Sequence, residues 1–409
     1  MADRGSELVG WLAEAARRMG AVSGYGDAGE ATVLADRDDA TVVRLGDVVA
    51  KAHAPVEGPR EAEALAARVR LATDAHLAGI LLPPLTAEVG TLPGGRPVSL
   101  WPYGAPVAPE RPEDAPWEAA GTLLARLHAI PVTSLHAIPV TRTAGLSPVT
   151  AAGHRPPLSP IPPISPIPPM RGPAKAARAV DRLRAALRER GEAGGAHPAE
   201  PPADAVAGPG TGDATPSRLG PAEEPAASRT VDVIFGMREV AHRAPTHHVA
   251  AHRAAAASVL RAWGTLPAWA RGEADSPRAD ALCHGDLHLG QLVRHPAPEG
   301  PWLLIDVDDM GLGEPAWDLA RPAAWYATGL LDPADWARFL GAYRAAGGRA
   351  VPPEGDPWAE LDAPARALTV QTAATALLKA MAADRPLDGV EEALVEACTR
   401  MSALAEAVG

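Results

Sequence analysis

Residues 281–321 constrain the fold of this chain more than any other segment. They read ALCHGDLHLGQLVRHPAPEGPWLLIDVDDMGLGEPAWDLAR, so short apolar runs alternate with polar loops. Asp286 lies in a loop between two apolar runs, Gln291 follows it closely, and Asp306 ends the apolar run WLLI. A loop followed by a hairpin brings side chains spaced in this way into one small volume. The sequence therefore favours a fold in which this loop and this hairpin converge.

Two carboxylates and one carboxamide in a small volume provide the hard oxygen ligands that Mg2+ prefers. Phosphoryl transfer uses such a site, because metal ions neutralise the phosphates while another group aligns the attacking hydroxyl. Asp286 is the candidate catalytic residue that accepts or orients the proton of the hydroxyl, and Gln291 and Asp306 are the candidate Mg2+ ligands. Asp308 is a further candidate ligand. In the alternative interpretation, Asp308 and Asp309 only face the cleft.

Three blocks in this region resemble the motifs of the aminoglycoside phosphotransferase family, a small-molecule branch of the kinase-like fold. They are HGDLHLGQ at 284–291, IDVDD at 305–309 and GEPAWDLA at 313–320. The resemblance implies a bilobal α+β kinase-like architecture, ATP and Mg2+ as cofactors, and transfer of the γ-phosphate to a hydroxyl of a small molecule. The family has Asn where this chain has Gln291, which offers the same amide oxygen on a longer side chain. The form HGDLHLGQ resembles actinobacterial maltokinases and glucosamine kinases, which favours a sugar or amino sugar as acceptor.

The resemblance also assigns roles in the N-terminal region. Lys51, in VVAKAHA, matches the strand lysine that holds the nucleotide phosphates, and Glu61 is its expected carboxylate partner; Glu63 and Glu57 are the other candidates. The segment containing Leu100, Trp101 and Tyr103 matches the link between the lobes that contacts adenine, although Trp101 and Tyr103 could equally be packing residues. The expected phosphate-binding hairpin at 31–45 contains no glycine in its turn.

Periodicity and composition divide the chain into five parts. Residues 1–27 predict an N-terminal helix. Residues 28–104 predict a small mixed lobe with strands at 31–36, 40–45 and 48–54 and a helix at 61–73, and the resemblance implies that this is the ATP-binding lobe. A further strand pair surrounds the turn at 93–95. Residues 105–140 begin the helical lobe with a helix at 116–130, which Asp114 is expected to cap. Residues 229–409 form the part that the resemblance makes catalytic and substrate-binding, with a helix at 250–272 and mostly helical segments at 316–346 and 359–406.

The remaining part, 141–228, is a Pro-rich, low-complexity insertion that we predict to be largely disordered, because it cannot bury enough apolar surface. A short helix at 174–190 is expected within it. Its polyproline run could bind a partner domain, and the alternative interpretation is a linker produced by sequence duplication.

Charge and composition limit the partners of the protein. The formal net charge of −12 argues against nucleic acid, because a phosphate backbone requires a basic surface. The two cysteines, Cys283 and Cys398, do not form a disulfide framework. The N-terminal sequence lacks the pattern of a signal peptide, and no stretch approaches the roughly 18 apolar residues of a membrane span. We therefore expect a cytoplasmic protein that acts on a small molecule; the sequence does not decide its oligomeric state.

Several other residues have structural interpretations. His284 is expected to orient the loop 284–291 by hydrogen bonding, Asp318 to tether the backbone of that loop, and Cys283 to be a buried thiol. His288 and His295 are interpreted as loop or surface residues. A histidine cluster could bind a metal, although exposed histidines are the alternative; its members are His242, His247, His248 and His252. Four acidic residues could bind a cationic acceptor, although solvated helix faces are the alternative; they are Asp332, Asp335, Glu360 and Asp362.

Two other functions remain open at this stage. The first is an antibiotic-modifying kinase that acts on an aminoglycoside or a macrolide, and a panel of acceptors distinguishes it from a sugar kinase. The second is a catalytically inactive kinase-like binding module. The presence of Asp286, Asp306 and Lys51 speaks against the inactive module, whereas the glycine-free hairpin and the glutamine at 291 in place of the family's Asn speak for it.

Overall fold

The computed structural model describes residues 2–23, 30–37, 40–135, 167–194 and 246–408. These residues form a β-sheet N-terminal region followed by a mostly helical C-terminal part, which confirms the predicted α+β fold class. Most of the segment predicted to be disordered, 141–166 and 195–228, lies outside the described residues. Within the described ranges, none of the helices combines the length and the apolar character that crossing a bilayer requires.

The N-terminal region is an antiparallel sheet in the strand order β1-β2-β3-β5-β4. The β-branched runs identified in the sequence form its first three strands, because side chains such as valine pack well on a pleated surface. The helix α2 connects β3 to the second half of the sheet. The bounds are β1 (Thr32–Asp36), β2 (Thr41–Leu45), β3 (Val48–Ala52), α2 (Pro59–Leu71), β4 (Gly90–Thr91) and β5 (Pro97–Pro102).

The N-terminal helix α1 (Ala2–Ser23) covers one face of this sheet. Leu12 and Ala16 of α1 are buried in one apolar cluster with Val43, Leu45 and Ala50 of the strands. Burial of a leucine side chain in such a cluster contributes about 1.5–3 kcal/mol. The predicted N-terminal helix is therefore part of the core of the sheet region.

The C-terminal part contains helices and short strand pairs. Strand β8 pairs with β6 and β9, and β10 pairs with β7, so the polar loops of 284–291 and 305–310 emerge beside these strands. The bounds are β6 (Ala105–Pro106), α3 (Trp117–His128), α4 (Gly172–Gly194), α5 (Thr246–Gly264), β7 (Ala281–Cys283), β8 (Leu292–Arg294), β9 (Trp302–Leu304), β10 (Gly311–Gly313), α6 (Ala316–Ala327), α7 (Pro333–Ala345), α8 (Trp358–Ala382) and α9 (Gly389–Val408).

The structure corrects several element boundaries. The predicted mostly helical segment 316–346 contains two helices, α6 and α7. Asp332 accepts a hydrogen bond from Ala334 N at 2.7 Å and so caps the start of α7. The predicted helix 250–272 ends at Gly264. Pro116, and not Asp114, occupies the position before α3, and no side chain caps that helix. Capping depends on the local φ and ψ angles, which residue type alone does not fix.

Helix α4 is the main departure from the predicted insertion. It includes the expected helix 174–190 and is longer at both ends. The residues just before it pair with the C-terminal part: Met170 N donates to Leu312 O at 2.8 Å, and Leu312 N donates to Pro168 O at 2.9 Å. Residues 167–176 are thus packed structure inside the range that we predicted to be an insertion.

The chain divides into two compact units. The first comprises Met1–Ala108, Glu113–Ala176 and Leu266–Thr369, and the second comprises Pro109–Pro112, Ala177–Thr265 and Val370–Gly409. In the second unit, Asp388 caps α9 by accepting from Val390 N and Glu391 N, while Glu391 accepts from Asp388 N at 2.9 Å. All residues of the candidate site belong to the first unit.

Candidate active site

Strand β3 carries the lysine of the site. Lys51 is 9% exposed and lies opposite Ser99 of β5 in the sheet register. Its Nζ donates to Asp306 Oδ1 at 2.7 Å and lies 3.0 Å from Asp308 Oδ2. Burial by itself would lower the pKa of Lys51, but the two carboxylates outweigh burial and raise this pKa above its usual range. Lys51 is therefore a charged group that links the sheet to the loop 305–310.

Asp306 has a backbone conformation that few residues other than glycine adopt. Its φ is 67°, in the left-handed region, which aspartate tolerates better than most side chains. The turn places Oδ2 3.2 Å from Nε2 of Gln291, which donates to it. Burial would raise the pKa of Asp306, but Lys51 holds it well below its ordinary value. The loop and the hairpin predicted to converge thus meet at Gln291 and Asp306.

Asp308 belongs to a hydrogen-bonded chain that begins inside the sheet. His53 Nδ1 lies 3.0 Å from Asp308 Oδ2, and His53 Nε2 lies 2.7 Å from Ser99 Oγ. Trp101 Nε1 donates to the same Ser99 Oγ at 2.7 Å. If Nδ1 of His53 donates to the carboxylate, its Nε2 accepts from the Ser99 hydroxyl, and both nitrogens of the His53 ring have a partner. This chain fixes the orientation of the Asp308 carboxylate.

One oxygen of this carboxylate has no hydrogen-bond partner among the described residues. Asp308 Oδ1 is buried and accepts no hydrogen bond from the described residues, although His53 Nδ1 lies 2.9 Å from it. A buried oxygen without a donor is costly unless a cation completes it. With the carboxylate of Asp306 and the amide of Gln291, it forms a set of hard oxygen ligands. These residues fit a Mg2+ ion.

Asp286 lies between two cationic side chains. Lys175 Nζ, from the first turn of α4, donates to Oδ2 at 2.6 Å, and Arg321 of α6 donates to Oδ1. Burial would raise the pKa of Asp286, but Arg321 and Lys175 outweigh burial and hold it far below its ordinary value. The two cations therefore favour the ionised form of the Asp286 carboxylate.

The loop that carries Asp286 is held by its backbone. Asp318 Oδ2 accepts from His284 N at 2.6 Å, and Asp318 Oδ1 accepts from Gly285 N at 2.7 Å. Gly285 has a φ of 87°, and a Cβ at this position would lie 2.4 Å from Asp309 O. His284 Nε2 bonds to Ile305 O at 2.8 Å. The predicted structural roles of Asp318 and His284 are confirmed.

A buried histidine behind this loop was missed by the sequence analysis. His128, at the end of α3, bonds to Asp318 Oδ2 through Nε2 at 3.0 Å and to the Tyr343 hydroxyl through Nδ1 at 2.8 Å. Tyr343 in turn accepts from Ala350 N at 2.8 Å. Cys283 lies beside His128 and Asp318, but those two side chains are already satisfied, so the group is not a metal site.

A second missed contribution comes from α2 and the residues before α4. Arg68 of α2 is 3% exposed and donates to Met310 O at 2.6 Å and to Pro169 O at 2.9 Å. Arg171 N donates to Asp309 O at 3.0 Å. The segment 168–171 is therefore fixed against the loop 309–312 on both sides. The sequence signal that could have located this segment is the proline at 173, which favours a helix start directly after residues 168–171.

The structure does not bring Glu61 to Lys51. Within the described residues, the carboxylates within 4 Å of Lys51 Nζ are those of Asp306 and Asp308. Glu61 Oε2 instead accepts from Glu57 N at 2.7 Å at the start of α2. The expected pairing of Lys51 with Glu61, or with the alternatives Glu57 and Glu63, is therefore absent from this structure.

The predicted adenine-contacting segment has packing partners of its own. Leu100 O accepts from Leu85 N at 2.8 Å, and the Arg44 guanidinium lies 3.4 Å from the ring centroid of Tyr103. Trp101 is 7% exposed, and its indole N–H is used by Ser99. These contacts agree with the packing alternative for Trp101 and Tyr103, and they leave the nucleotide role of the segment a prediction.

The other polar residues singled out in the sequence have structural partners. Cys283 is fully buried, and burial raises the pKa of its thiol, which agrees with the predicted buried thiol. His252 bonds through Nε2 to Arg385 O at 2.9 Å, while His242 and the side chain of His247 lie outside the described residues. His288 Nδ1 accepts from Gly290 N, and His295 Nδ1 donates to Tyr103 O.

Each of the four acidic residues proposed to bind a cationic acceptor is engaged locally. Asp332 caps α7, and the others pair with arginines: Asp335 with Arg338, Glu360 with Arg278, and Asp362 with Arg366. This agrees with the alternative interpretation of solvated helix faces.

Comparison with known proteins identifies the family. The sequence model of the phosphotransferase enzyme family, APH, matches residues 26–362. No curated protein matches the sequence significantly. The chain resembles a solved choline/ethanolamine kinase family protein from Mesorhizobium loti at 17% identity, covering 96% of this chain and 93% of the other with a TM-score of 0.38.

A solved spectinomycin phosphotransferase in complex with ADP and spectinomycin is similar at 12% identity, covering 93% of this chain and 94% of the other, with a TM-score of 0.44. A thermostable mutant of an aminoglycoside phosphotransferase is similar at 11% identity, covering 94% of this chain and 98% of the other, with a TM-score of 0.46. Similarity at this level says nothing about the substrate. The family match covers most of the chain, and the protein belongs to the phosphotransferase enzyme family.

Proposed function

We propose that the protein is an ATP- and Mg2+-dependent kinase that phosphorylates a hydroxyl of a small molecule. The observation that carries this proposal is the convergence of Lys51, Asp286, Gln291 and Asp306 in one compact unit, with an unpartnered oxygen on Asp308. Phosphoryl transfer requires a phosphate-binding cation, metal-binding oxygens and a hydroxyl-aligning group, and these residues supply all three.

In this reaction the oxygen of the acceptor hydroxyl forms a bond to the γ-phosphorus of ATP. The bond from that phosphorus to the bridging oxygen breaks, ADP leaves with the electron pair, and the hydroxyl proton is released to water. Asp286 accepts a hydrogen bond from the hydroxyl and aligns it. Because its pKa is held far below the ordinary value, Asp286 orients the hydroxyl and does not retain the proton.

The remaining residues bind the nucleotide. Lys51 is proposed to hold the phosphates, and the segment 100–103 to lie beside the adenine. Gln291, Asp306 and Asp308 would hold Mg2+, which when bound supplies positive charge to the phosphates. Lys51 is paired with Asp306 in this structure. A bound nucleotide would therefore compete with the Asp306 carboxylate for the Lys51 ammonium.

For the acceptor we propose a sugar or amino sugar, on the basis of the motif form HGDLHLGQ. The test measures ADP release from Mg-ATP with glucose, maltose, glucosamine, several aminoglycosides and a macrolide. Turnover with an antibiotic alone would instead assign an antibiotic-modifying kinase. Absence of nucleotide binding would assign an inactive binding module.

The matched variants for this test are Asp286→Asn and Asp280→Asn, because both remove one carboxylate charge. Asp280 is exposed, so its variant should retain the parent rate. Asp286→Asn should lower the turnover number by roughly 100-fold or more, because the hydroxyl loses a charged hydrogen-bond acceptor, while the Kd for Mg-ADP changes less than about 3-fold. Parent-like turnover by Asp286→Asn would contradict the assigned role.

A further inference from the structure

Lys175 is a charged group in this site that the proposed reaction does not yet use. Its Nζ donates to Asp286 Oδ2 at 2.6 Å and to Asp309 Oδ2 at 2.9 Å. Burial would lower the pKa of Lys175, but Asp286 and Asp309 outweigh burial and raise it above its usual range. Lys175 is therefore an ammonium group that bridges the candidate catalytic carboxylate and the acidic loop.

The position of Lys175 is built by the fold. The chain just before it is fixed by backbone hydrogen bonds of Met170 and Arg171 to the loop 309–312, and Lys175 N donates to Arg171 O at 2.8 Å. Arg68, which is almost fully buried, holds Pro169 O from the other side. These contacts fix the first turn of α4 over Asp286. A surface lysine without a role would not require this support.

The composition points in the same direction. The chain has 38 lysine and arginine residues, and lysine occurs only at Lys51, Lys175 and Lys379. Two of the three lysines therefore lie on the carboxylates of this site, in a chain that otherwise uses arginine. Lysine is a compact point charge on a flexible stem, which suits a group that must contact a moving phosphoryl oxygen.

Lys175 retains a hydrogen-bond donor for a ligand. An ammonium group has three donors, and within the described residues Lys175 uses two of them, on Asp286 and Asp309. Its side chain is 31% exposed. A further acceptor can therefore bind without breaking either ion pair.

The charges around Lys175 show what that acceptor would be. In phosphoryl transfer the reacting group passes between the hydroxyl, at Asp286, and the metal-binding carboxylates. Lys175 contacts Asp286 at the hydroxyl end of this path and Asp309 at the metal end, because Asp309 belongs to the same loop as the candidate ligands Asp306 and Asp308. An anionic oxygen in that position would gain a charge-assisted hydrogen bond.

We propose that Lys175 is a second phosphate-binding lysine, which holds the transferring phosphoryl group between Asp286 and the acidic loop. This inference rests on the proposed kinase function. It assigns to the segment 167–176 a direct part in the active site, in addition to the role of Lys51, which contacts Asp306 and Asp308.

The test compares the binding of Mg-AMP-PNP, a triphosphate analogue, with the binding of Mg-ADP by calorimetry. Lys175→Met should weaken the triphosphate by roughly 10- to 100-fold, because one hydrogen bond to a charged group is lost. Its affinity for ADP, which lacks the transferred group, should change less than about 3-fold. Lys175→Arg keeps the charge on a larger, planar group, so it should lose less affinity for the triphosphate than Lys175→Met does.

Arg184→Met is the control, since Arg184 is an exposed cation of the same helix whose partner is Asp181; it should bind both nucleotides like the parent. The inference would be overturned if Lys175→Met bound Mg-AMP-PNP as tightly as the parent does and bound Mg-ADP as tightly as the parent does. Equal weakening of both nucleotides would also overturn it, since it would assign Lys175 a structural role. A rise in ATP turnover for Lys175→Met would overturn it by showing that the lysine blocks the acceptor. Failure of the parent to bind either nucleotide would overturn both this inference and the proposed function.

Discussion

The hydrogen bonds of Asp318 predict that Asp318→Asn strongly destabilises the protein. Asp318 is 1% exposed and accepts three hydrogen bonds, from His284 N, Gly285 N and His128 Nε2. Two of these donors belong to the backbone of the loop that carries Asp286. Asparagine has nearly the same shape but only one acceptor oxygen, so the substitution changes the hydrogen bonding and leaves the packing unchanged.

The size of the expected loss in stability follows from the orientation of the asparagine side chain that keeps the most hydrogen bonds. The asparagine oxygen in place of Oδ2 would keep His284 N and His128, and the NH2 group would then face the N–H of Gly285. One buried donor without an acceptor costs about 1–3 kcal/mol, and loss of the charge weakens the other two bonds. We therefore expect a loss of about 2–4 kcal/mol in the free energy of unfolding, a large part of the usual 5–15 kcal/mol.

The measurement is urea unfolding followed by tryptophan fluorescence, with Asp280→Asn as the matched control. Asp280 is 58% exposed and pairs with Arg349 on the surface. Its substitution should change the free energy of unfolding by less than about 0.5–1 kcal/mol. If Asp318→Asn also stayed within about 0.5 kcal/mol of the parent, the hydrogen bonds assigned to Asp318 would not hold the loop.

Two further predictions concern packing and pH. Gly121→Ala should destabilise the protein by about 2–4 kcal/mol in thermal unfolding, because the added Cβ would lie 2.3 Å from Phe339 O. Gly341→Ala is the control, because no atom outside its own helix backbone lies within 4 Å of the added Cβ, and it should be neutral or stabilising by up to about 1 kcal/mol. Burial lowers the pKa of His288 to about 4, so the folded state binds fewer protons than the unfolded state below pH 6.5, and stability should fall as pH decreases from 7 to 5. His288→Asn keeps an acceptor for Gly290 N, so it should remove only the titrating group. In urea unfolding at pH 7 and pH 5, this variant should lose about 1–2 kcal/mol less of its free energy of unfolding than the parent does. An unchanged pH dependence would show that His288 is not the group responsible.

The local parts of the fold could be read from the sequence. Valine-rich runs gave the first three strands, because side-chain shape and alternation act within a few residues. The pairing of Gln291 with Asp306 also followed, since one loop and one hairpin are enough to join them. Asp318 was correctly predicted to tether the loop that lies in front of it in the sequence.

Contacts between distant segments could not be read in this way. Glu61 was assigned to Lys51 because the family resemblance implies a carboxylate partner from the helix that follows the strand. Helix periodicity shows which residues share a face and not which element that face meets. In the structure Glu61 accepts a hydrogen bond from the backbone of its own helix start. His128 and Tyr343 were missed because their pairing depends on how α3 packs on α7, across 215 residues of sequence.

The sequence by itself determined the chemistry of this protein: the acidic and amide side chains, their order and the family to which they belong. Only the tertiary structure decided which cations face those carboxylates. Lys51 reaches Asp306 across 255 residues, and Lys175 reaches Asp286 across 111. The physical reason is that Coulomb attraction depends on the distance in space between two charges and not on their separation in the sequence. The partner is therefore selected by the backbone that brings it close, and that backbone is fixed by contacts such as those of Arg68.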